Sequence, residues 1–342
     1  EMLRSLVGSE MCIRDSIKGI FKLGNRHKLS VGTEYIVDVL KSQTDNIAKE
    51  DAYTLALFAQ DEIKLLRNLQ ALIGVRYIYH ENFKNHATPN VALMYKPGKF
   101  NFRASYAAGF RTPTLSELYA TDIAKKNDRL TIGNLDLKPE KNNYFSLSAE
   151  YVHERFSVSV NAFYNNIRDM IDYNTIATGD KAMEQYGHKE VRQRDNIAEA
   201  KVHGINVSAN AYLGAGFNLS GGYTHLNTQD VELEQPIDKS IKNAYNINAQ
   251  WAHSWKIYRL NINLNGRFNS KRFSKSYGYA PEYQLWDLNT RHSFNLKSVI
   301  IEPGCGMENL FDYMDDRPYN SNYATLTPGR SFYISLSLKF KS

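Results

Sequence analysis

An all-β fold, an antiparallel transmembrane β-barrel, is what this sequence predicts, on three observations. Apolar and polar residues alternate with period two again and again from residue 28 onwards. The connections between alternating segments switch regularly between short and long. No window approaches eighteen consecutive apolar residues, so a helical membrane span is excluded, whereas a barrel strand needs apolar residues only at every second position.

Composition agrees. Of 342 residues, 42% are hydrophobic, 12% aromatic and 23% charged, which supplies enough apolar surface to exclude disorder. The 23 Tyr and 16 Phe are spread along the whole chain, and only nine prolines interrupt it. Lys and Arg number 42 against 36 Asp and Glu, a net charge of +6 that gathers in no block of like sign, so no nucleic-acid partner is expected. Cys12 and Cys305 lie far apart and make neither a disulfide framework nor a CxxC metal site.

Residues 1–16 read as foreign to the rest of the chain, without its period or its composition. Met11 to Ser16 resembles translated sequencing-adapter sequence, so residues 1–16 are set apart as a non-native segment, with a natural but irregular N-terminal segment as the alternative, and residues 17–342 are read as barrel. Ala52 to Leu66 could be forced into a helical pattern, but Tyr53, Leu55, Leu57 and Ala59 alternate more cleanly as a strand. Phe145, Leu147, Ala149 and Tyr151 alternate with Ser146, Ser148 and Glu150; Ile205, Val207, Ala209 and Ala211 with Asn206, Ser208 and Asn210. Tyr245 to Trp251 and Tyr258 to Leu264 repeat the pattern, and Phe332, Ile334, Leu336, Leu338 and Phe340 mark the last strand. About fifteen such segments are present.

Short connections are expected at 24–27, 66–69, 97–99, 153–155, 214–216, 255–256 and 297–298. Long ones are expected at 40–50, 80–88, 110–142, 166–196, 227–242, 270–283 and 312–330. Successive connections of an antiparallel meander lie at opposite ends, so one end has tight turns and the other long polar excursions, as in outer-membrane barrels. The last strand comes after a long connection and therefore ends on the short-turn side. Ser, Asn, Gln and Arg on the polar face suit a wet interior, and aromatic residues near strand ends suit interfacial girdles. Fifteen is odd where single-chain bacterial barrels are even, so further strands are expected before residue 17.

The first very long connection is bracketed by Ala107-Ala108-Gly109-Phe110-Arg111-Thr112-Pro113-Thr114-Leu115-Ser116-Glu117-Leu118-Tyr119 and by Gly133-Asn134-Leu135-Asp136-Leu137-Lys138-Pro139-Glu140. Near the end stand Glu308-Asn309-Leu310-Phe311-Asp312-Tyr313 and Pro328-Gly329-Arg330. These resemble the GFRxPxxxELY, GNxxLKPE, NLFDxxY and PGR motifs of TonB-dependent outer-membrane receptors, in family order. The chain runs past Phe340 to Lys341 and Ser342, where that family usually ends on Phe. The resemblance implies a 22-stranded barrel around an N-terminal plug, with about 15 of the strands and no plug in this sequence. It also implies an outer-membrane location, lipid and lipopolysaccharide around the wall, TonB acting through the missing plug, insertion by the barrel-assembly machinery, and a monomer at full length.

Among the motif residues, Gly109 and Gly133 read as places where the backbone turns, and Pro113 and Pro139 as ends of strand pairing. Asn134, Glu140, Asn309, Phe311 and Phe340 read as mainly structural. Arg111 reads first as a hydrogen-bond anchor between wall and plug or loop, and second as a ligand contact. Candidate ligand contacts are Arg111, Tyr119, Tyr186, Arg192, Arg194, Arg272, Tyr277 and Tyr279, because cations interleaved with aromatics suit an anionic, partly aromatic ligand such as a ferric siderophore. A solvated surface facing lipopolysaccharide is the alternative for these loops.

No resident cofactor and no metal site are expected; iron would enter as a transported chelate. Haem and cobalamin remain open, with haem weakened because Arg111 to Gly133 contains no histidine. His80, His86 and His188 fall in expected loops and read as solvated. A passive pore or adhesin barrel would share the alternation but not the motifs. GxSxG, P-loop and HExxH patterns are absent from the sequence, so no enzyme is expected.

Overall fold

The structure, a computed structural model, describes residues 9–42, 47–124, 128–274, 278–315 and 328–341. Period-two segments become strands because each can bury or lipid-solvate one face while wetting the other. In chain order the elements are β1 (Ser9–Leu23), β2 (His27–Ser42), β3 (Ile47–Leu66), β4 (Leu69–His80), β5 (Lys84–Tyr95), β6 (Phe100–Arg111) and a short helix α1 (Leu115–Tyr119). Then come β7 (Thr121–Ala124), β8 (Arg129–Ile132), β9 (Glu140–Val152), β10 (Phe156–Thr178), helix α2 (Gly179–Tyr186), β11 (Glu190–Gly214) and β12 (Phe217–Asp230). The last are β13 (Asn243–Trp255), β14 (Tyr258–Asn269), β15 (Arg272–Ser274), β16 (Gly278–Ala280), β17 (Tyr283–Asn295), β18 (Val299–Glu308) and β19 (Ser331–Phe340).

All but β15 and β16 join one 17-stranded sheet. Setting aside the short β7 and β8, which belong to an annex at the long-loop end, fifteen strands form an antiparallel meander, as the alternation implies. Register is fixed by the faces, since a one-residue slip would turn every apolar side chain inward. Tyr106 opposes Phe145 and Ala104 opposes Leu147 on the outer face, while Ser105 and Ser146 meet inside through a 2.6 Å hydroxyl hydrogen bond. The outer row of β19 is bare, with Ile334 and Phe340 more than four-fifths exposed. Such a bare apolar face is what lipid covers in a barrel.

Small residues of the wall are paired with large ones, on the inner face at Gly32, Gly204 and Gly306 and on the outer face at Gly266. Gly32, Gly204, Gly266 and Gly306 stand directly opposite Phe58, Phe163, Trp286 and Tyr333 on their neighbouring strands. At each, the ring of the partner lies where a Cβ would be built. The glycines thus make room for rings to lie flat across the strand pair.

The seven short turns fall where the sequence places them, but three expectations are corrected. Residues 80–88 form no long loop: only 81–83 separate β4 from β5. The 166–196 excursion is mainly strand, because β10 and β11 pair from Phe156↔Ala211 out to Thr178↔Glu190, well beyond where β9 and β12 stop pairing with them. Residues from Ser9 on, read as outside the barrel period, are paired with β2 from Ser9↔Lys41 to Leu23↔His27. Met11 and Ile13 share the exposed face with Ile17, Phe21 and Leu23, in phase. Asp15, opposite Tyr35, interrupts that face and hides the period. Among the described residues, β1 registers with β2 alone and β19 with β18 alone.

Candidate ligand-facing site

The long-loop end is organised around α1. Thr114 caps it in a reciprocal capping box: the Glu117 N–H donates to Thr114 Oγ1 (3.1 Å) and the Thr114 N–H donates to Glu117 Oε2 (2.9 Å). The helix folds across the mouth of the sheet. Leu115 packs with Leu40 of β2 and Ala52 of β3, and Leu118 packs with Leu137 and with Ile171 of β10. Tyr119 touches both groups, so this candidate ligand contact is half-buried packing between them. Pro113 is buried just after β6 ends, and Pro139 stands immediately before β9 begins.

Arg111 and Glu140 close the β6–β9 pair. Glu140 lies five positions beyond Phe145 of the exposed aromatic ring, roughly 17 Å further along the strand, clear of the apolar band. Arg111 donates to Glu140 from Nε (2.8 Å) and Nη2 (2.5 Å), and from Nη1 to Glu117 (2.9 Å). Glu140 also accepts the backbone N–H of Ile171 (2.8 Å). One guanidinium therefore ties the β6 end, the β9 start and α1 together, with β10 joined through Glu140. Burial pushes the Glu140 carboxyl up, but the hydrogen bonds from Arg111 and Ile171 and the guanidinium charge outweigh it and hold it below the usual carboxylate range.

Two amides complete the clasp. Asn134 receives the Asp136 N–H (2.9 Å) and donates from Nδ2 to the Arg194 carbonyl (2.9 Å), while its own N–H donates to the Glu117 carbonyl (3.1 Å). Asn196 accepts the Lys138 N–H (2.7 Å) and donates to the carbonyls of Lys138 (2.9 Å) and Asp169 (2.6 Å). Asn196 and Glu117 were not singled out from sequence. For Glu117 the Thr-x-x-Glu spacing was a usable signal; for Asn196, acting across 58 positions, no local signal exists.

The glycine expectations are corrected. Neither Gly109 nor Gly133 adopts a positive φ. Gly109 is a paired strand residue opposite Asn142, whose amide occupies the space a Cβ would need. A Cβ on Gly133 would meet the Leu118 carbonyl oxygen at 2.5 Å, so glycine permits close backbone approach there, not a turn.

The annex and the β10–β11 projection beside it carry three of the six remaining candidates, Tyr186, Arg192 and Arg194. β8 pairs with β7 and runs parallel to β11 from Glu190↔Arg129 to Gln193↔Ile132, widening the β10–β11 projection. Arg194 lies over the Tyr173 ring at 3.8 Å, a cation–π contact, and Arg192 pairs with Glu190 at 2.5 Å. Tyr186 ends α2. His188 donates to Asp128 (2.9 Å), and this hydrogen bond chiefly holds the Asp128 carboxyl below its usual range.

Arg272 and Tyr279 sit on a separate hairpin of β15 and β16, where Phe273 meets Tyr279 edge-on at 5.3 Å. Tyr277 lies outside the described residues. His80 and His86 are not loop histidines. His80 is buried, and its Nδ1 accepts the Asn82 N–H (3.1 Å) inside the tight turn; His86 stacks on Phe110 at 3.8 Å.

The C-terminal motif forms its own clasp. Asn309 is buried with φ 52°, and its side chain donates to the carbonyls of Tyr313 (2.7 Å) and Pro328 (3.0 Å) and accepts the Tyr313 N–H (2.8 Å). Asp312 accepts the Arg330 N–H (2.7 Å). Phe311 is exposed and meets Trp286 edge-on, and Phe340 is the last residue of β19 on the bare outer face. Among the described residues, no group of three or more His, Cys, Asp or Glu could hold a metal ion.

A family model described as TonB dependent receptor-like, beta-barrel, matches residues 14–310. Among solved structures, the ferric enterobactin receptor (PfeA) of Pseudomonas aeruginosa is 19% identical with a TM-score of 0.80, over 98% of this chain and 54% of that one. The siderophore receptor PirA of Pseudomonas aeruginosa is 17% identical with a TM-score of 0.76, over 98% and 57%. The FrpB iron transporter of Neisseria meningitidis is 14% identical with a TM-score of 0.70, over 97% and 55%. The chain thus spans little more than half the length of these structures, and at such identities the likeness concerns the fold. With its fifteen-strand meander, segregated loops and family-model match over most of its length, this chain belongs to the TonB-dependent receptor β-barrel family of the Gram-negative outer membrane.

Proposed function

We propose that this barrel serves TonB-driven uptake of a scarce ferric chelate, a ferric siderophore above other ligands. The observation that carries the reading is the cation–aromatic surface of the β10–β11 projection, with Arg194 over Tyr173 and Arg192 beside it. Guanidinium groups and ring faces suit an anionic ligand with aromatic iron-binding groups. The hairpin bearing Arg272, Phe273 and Tyr279 offers the same chemistry.

In this reading the loops capture the chelate. A plug, coupled to the TonB complex, rearranges to release it into the periplasm. Lipopolysaccharide surrounds the outer half of the wall, the barrel-assembly machinery inserts it, and the receptor is a monomer. The protein holds no resident cofactor and performs no bond chemistry on its ligand.

The test is ligand capture by cells expressing the complete gene in a receptor-deficient strain. Ferric siderophores, haem and cobalamin are offered separately, and binding to the cell surface is measured. Saturable binding of a ferric siderophore, weakened severalfold by R194A together with R192A, is the expected result. Saturable binding of haem or cobalamin alone overturns the ligand class, and no saturable binding of any of the three overturns the receptor reading.

A further inference from the structure

Charge is divided unevenly between the two ends of the wall. The seven short turns and the end of β19 carry eight cations against one carboxylate, Glu154. Since the chain holds 42 Lys and Arg against 36 Asp and Glu, everything outside this rim amounts to 34 against 35. The whole net positive charge of the protein therefore lies on one rim.

The cations are placed in a repeated way. Seven stand next in sequence to an exposed apolar or aromatic residue: Leu66–Arg67, Tyr95–Lys96, Lys99–Phe100, Arg155–Phe156, Trp255–Lys256, Leu296–Lys297 and Phe340–Lys341. Arg26 completes the set, and the Lys341 ammonium donates to the Leu296 carbonyl (2.7 Å). All eight are exposed, and none forms an ion pair among the described residues.

We propose that this rim is a docking ring for anionic phospholipid, in which the phosphodiesters of phosphatidylglycerol or cardiolipin in the inner leaflet rest on the turn cations. The inference rests on membership of the family, which puts short turns at the periplasmic face, and not on the identity of the ligand. The apolar neighbour of each of these seven cations enters the acyl region while the charged head stays at phosphate depth. Lipid is favoured over an acidic protein because the cations are spread over six of the seven turns and the last strand end. A protein partner would call for one concentrated patch.

Trp255 reports on the site directly, being half-exposed on the outer face beside Lys256. The whole receptor carrying this barrel is purified from outer membranes and reconstituted in phosphatidylethanolamine vesicles. These contain equal mole fractions of brominated phosphatidylglycerol or brominated phosphatidylethanolamine. Quenching lost in the W255F form isolates the signal of Trp255. Brominated phosphatidylglycerol is expected to occupy the rim about threefold or more in preference, an advantage that fades with added salt. Replacing Arg67, Lys99, Lys256 and Lys297 together by Gln brings the ratio towards one, and K256R with K297R retains it. Heat-modifiable migration on gels checks folding, and should the Gln form not fold, the salt titration of the unaltered receptor decides. Equal quenching by both lipids in the unaltered receptor overturns the proposal. So does a folded Gln form that keeps the preference, or a preference insensitive to salt.

Discussion

Arg111 and Glu140 face each other as the final register pair of β6 and β9, joined by two hydrogen bonds of 2.8 and 2.5 Å. The guanidinium fork matches the carboxylate, and its third nitrogen reaches Glu117 at 2.9 Å. Removing Arg111 leaves two carboxylates facing each other without their cation. Because the Arg111 side chain is 41% exposed, solvent screens much of that repulsion. R111A is expected to cost about 1–2 kcal/mol and to free the 112–139 loop for protease cleavage, whereas R111K, which keeps charge but not the fork, loses less. Cleavage rates on the folded receptor check the order.

Acid acts on the same pair. The Glu140 carboxyl is held below its ordinary value of 4.5, so its contribution to stability is complete above that value. It is lost as the pH falls from 4.5 through the lowered folded-state value. Protease protection of the 112–139 loop is expected to weaken over that range, and E140Q, which cannot ionise, is expected to flatten the acid limb while lowering protection at neutral pH.

Asn196 holds Lys138 by both of its backbone groups and Asp169 by a third bond. N196A orphans those groups at a cost of about 1–3 kcal/mol. N196D keeps the acceptor for the Lys138 N–H but loses both donated bonds, so it is expected to recover only part of the loss. Hydrogen exchange at the Lys138 amide reads the difference directly.

Gly133 separates backbone needs from side-chain needs. A methyl group there would meet the Leu118 carbonyl at 2.5 Å and the Tyr119 nitrogen at 2.9 Å, and backbone cannot rotate away. At Gly109 the obstacle is the amide of Asn142, which can swing aside at the loss of its 2.9 Å bond to Asn165. G133A is expected to destabilise the loop by about 1–3 kcal/mol and G109A by less. Thermal unfolding of the two variants compares them.

The strands within the apolar band were legible because lipid outside and water inside impose a period-two signal that any short window displays. Phe145 to Tyr151 and Ile205 to Ala211 show it residue by residue. Beyond the band both faces are wet, so Asn174, Thr175, Arg192 and Gln193 carry no alternation although they are paired strand residues. The same loss of contrast hid the tight 81–83 turn, where His80 and Lys84 end a ladder that polar residues continue. The site was legible only where a motif is contiguous, as at Thr114 and Glu117. The bonds from Asn196 to Lys138 and from Asn134 to Arg194 join residues about sixty positions apart, and only the folded wall brings them together.

Two sheet edges result from β1 and β19 each having one partner among the described residues. Residues 17–342 expressed alone therefore expose unpaired backbone groups in or near lipid, each costing several kcal/mol. Aggregation or misassembly is expected in detergent. A monodisperse, heat-modifiable barrel formed by this segment would contradict it.

The central claim, energised uptake through this barrel, is tested most directly by accumulation of radio-iron from a ferric siderophore in iron-starved cells expressing the complete gene. The measurement is made with TonB present and with TonB deleted. Accumulation that saturates with ligand and disappears without TonB, while surface binding persists, is the expected result. Accumulation that continues unchanged without TonB and rises linearly with ligand would contradict it and identify a passive pore.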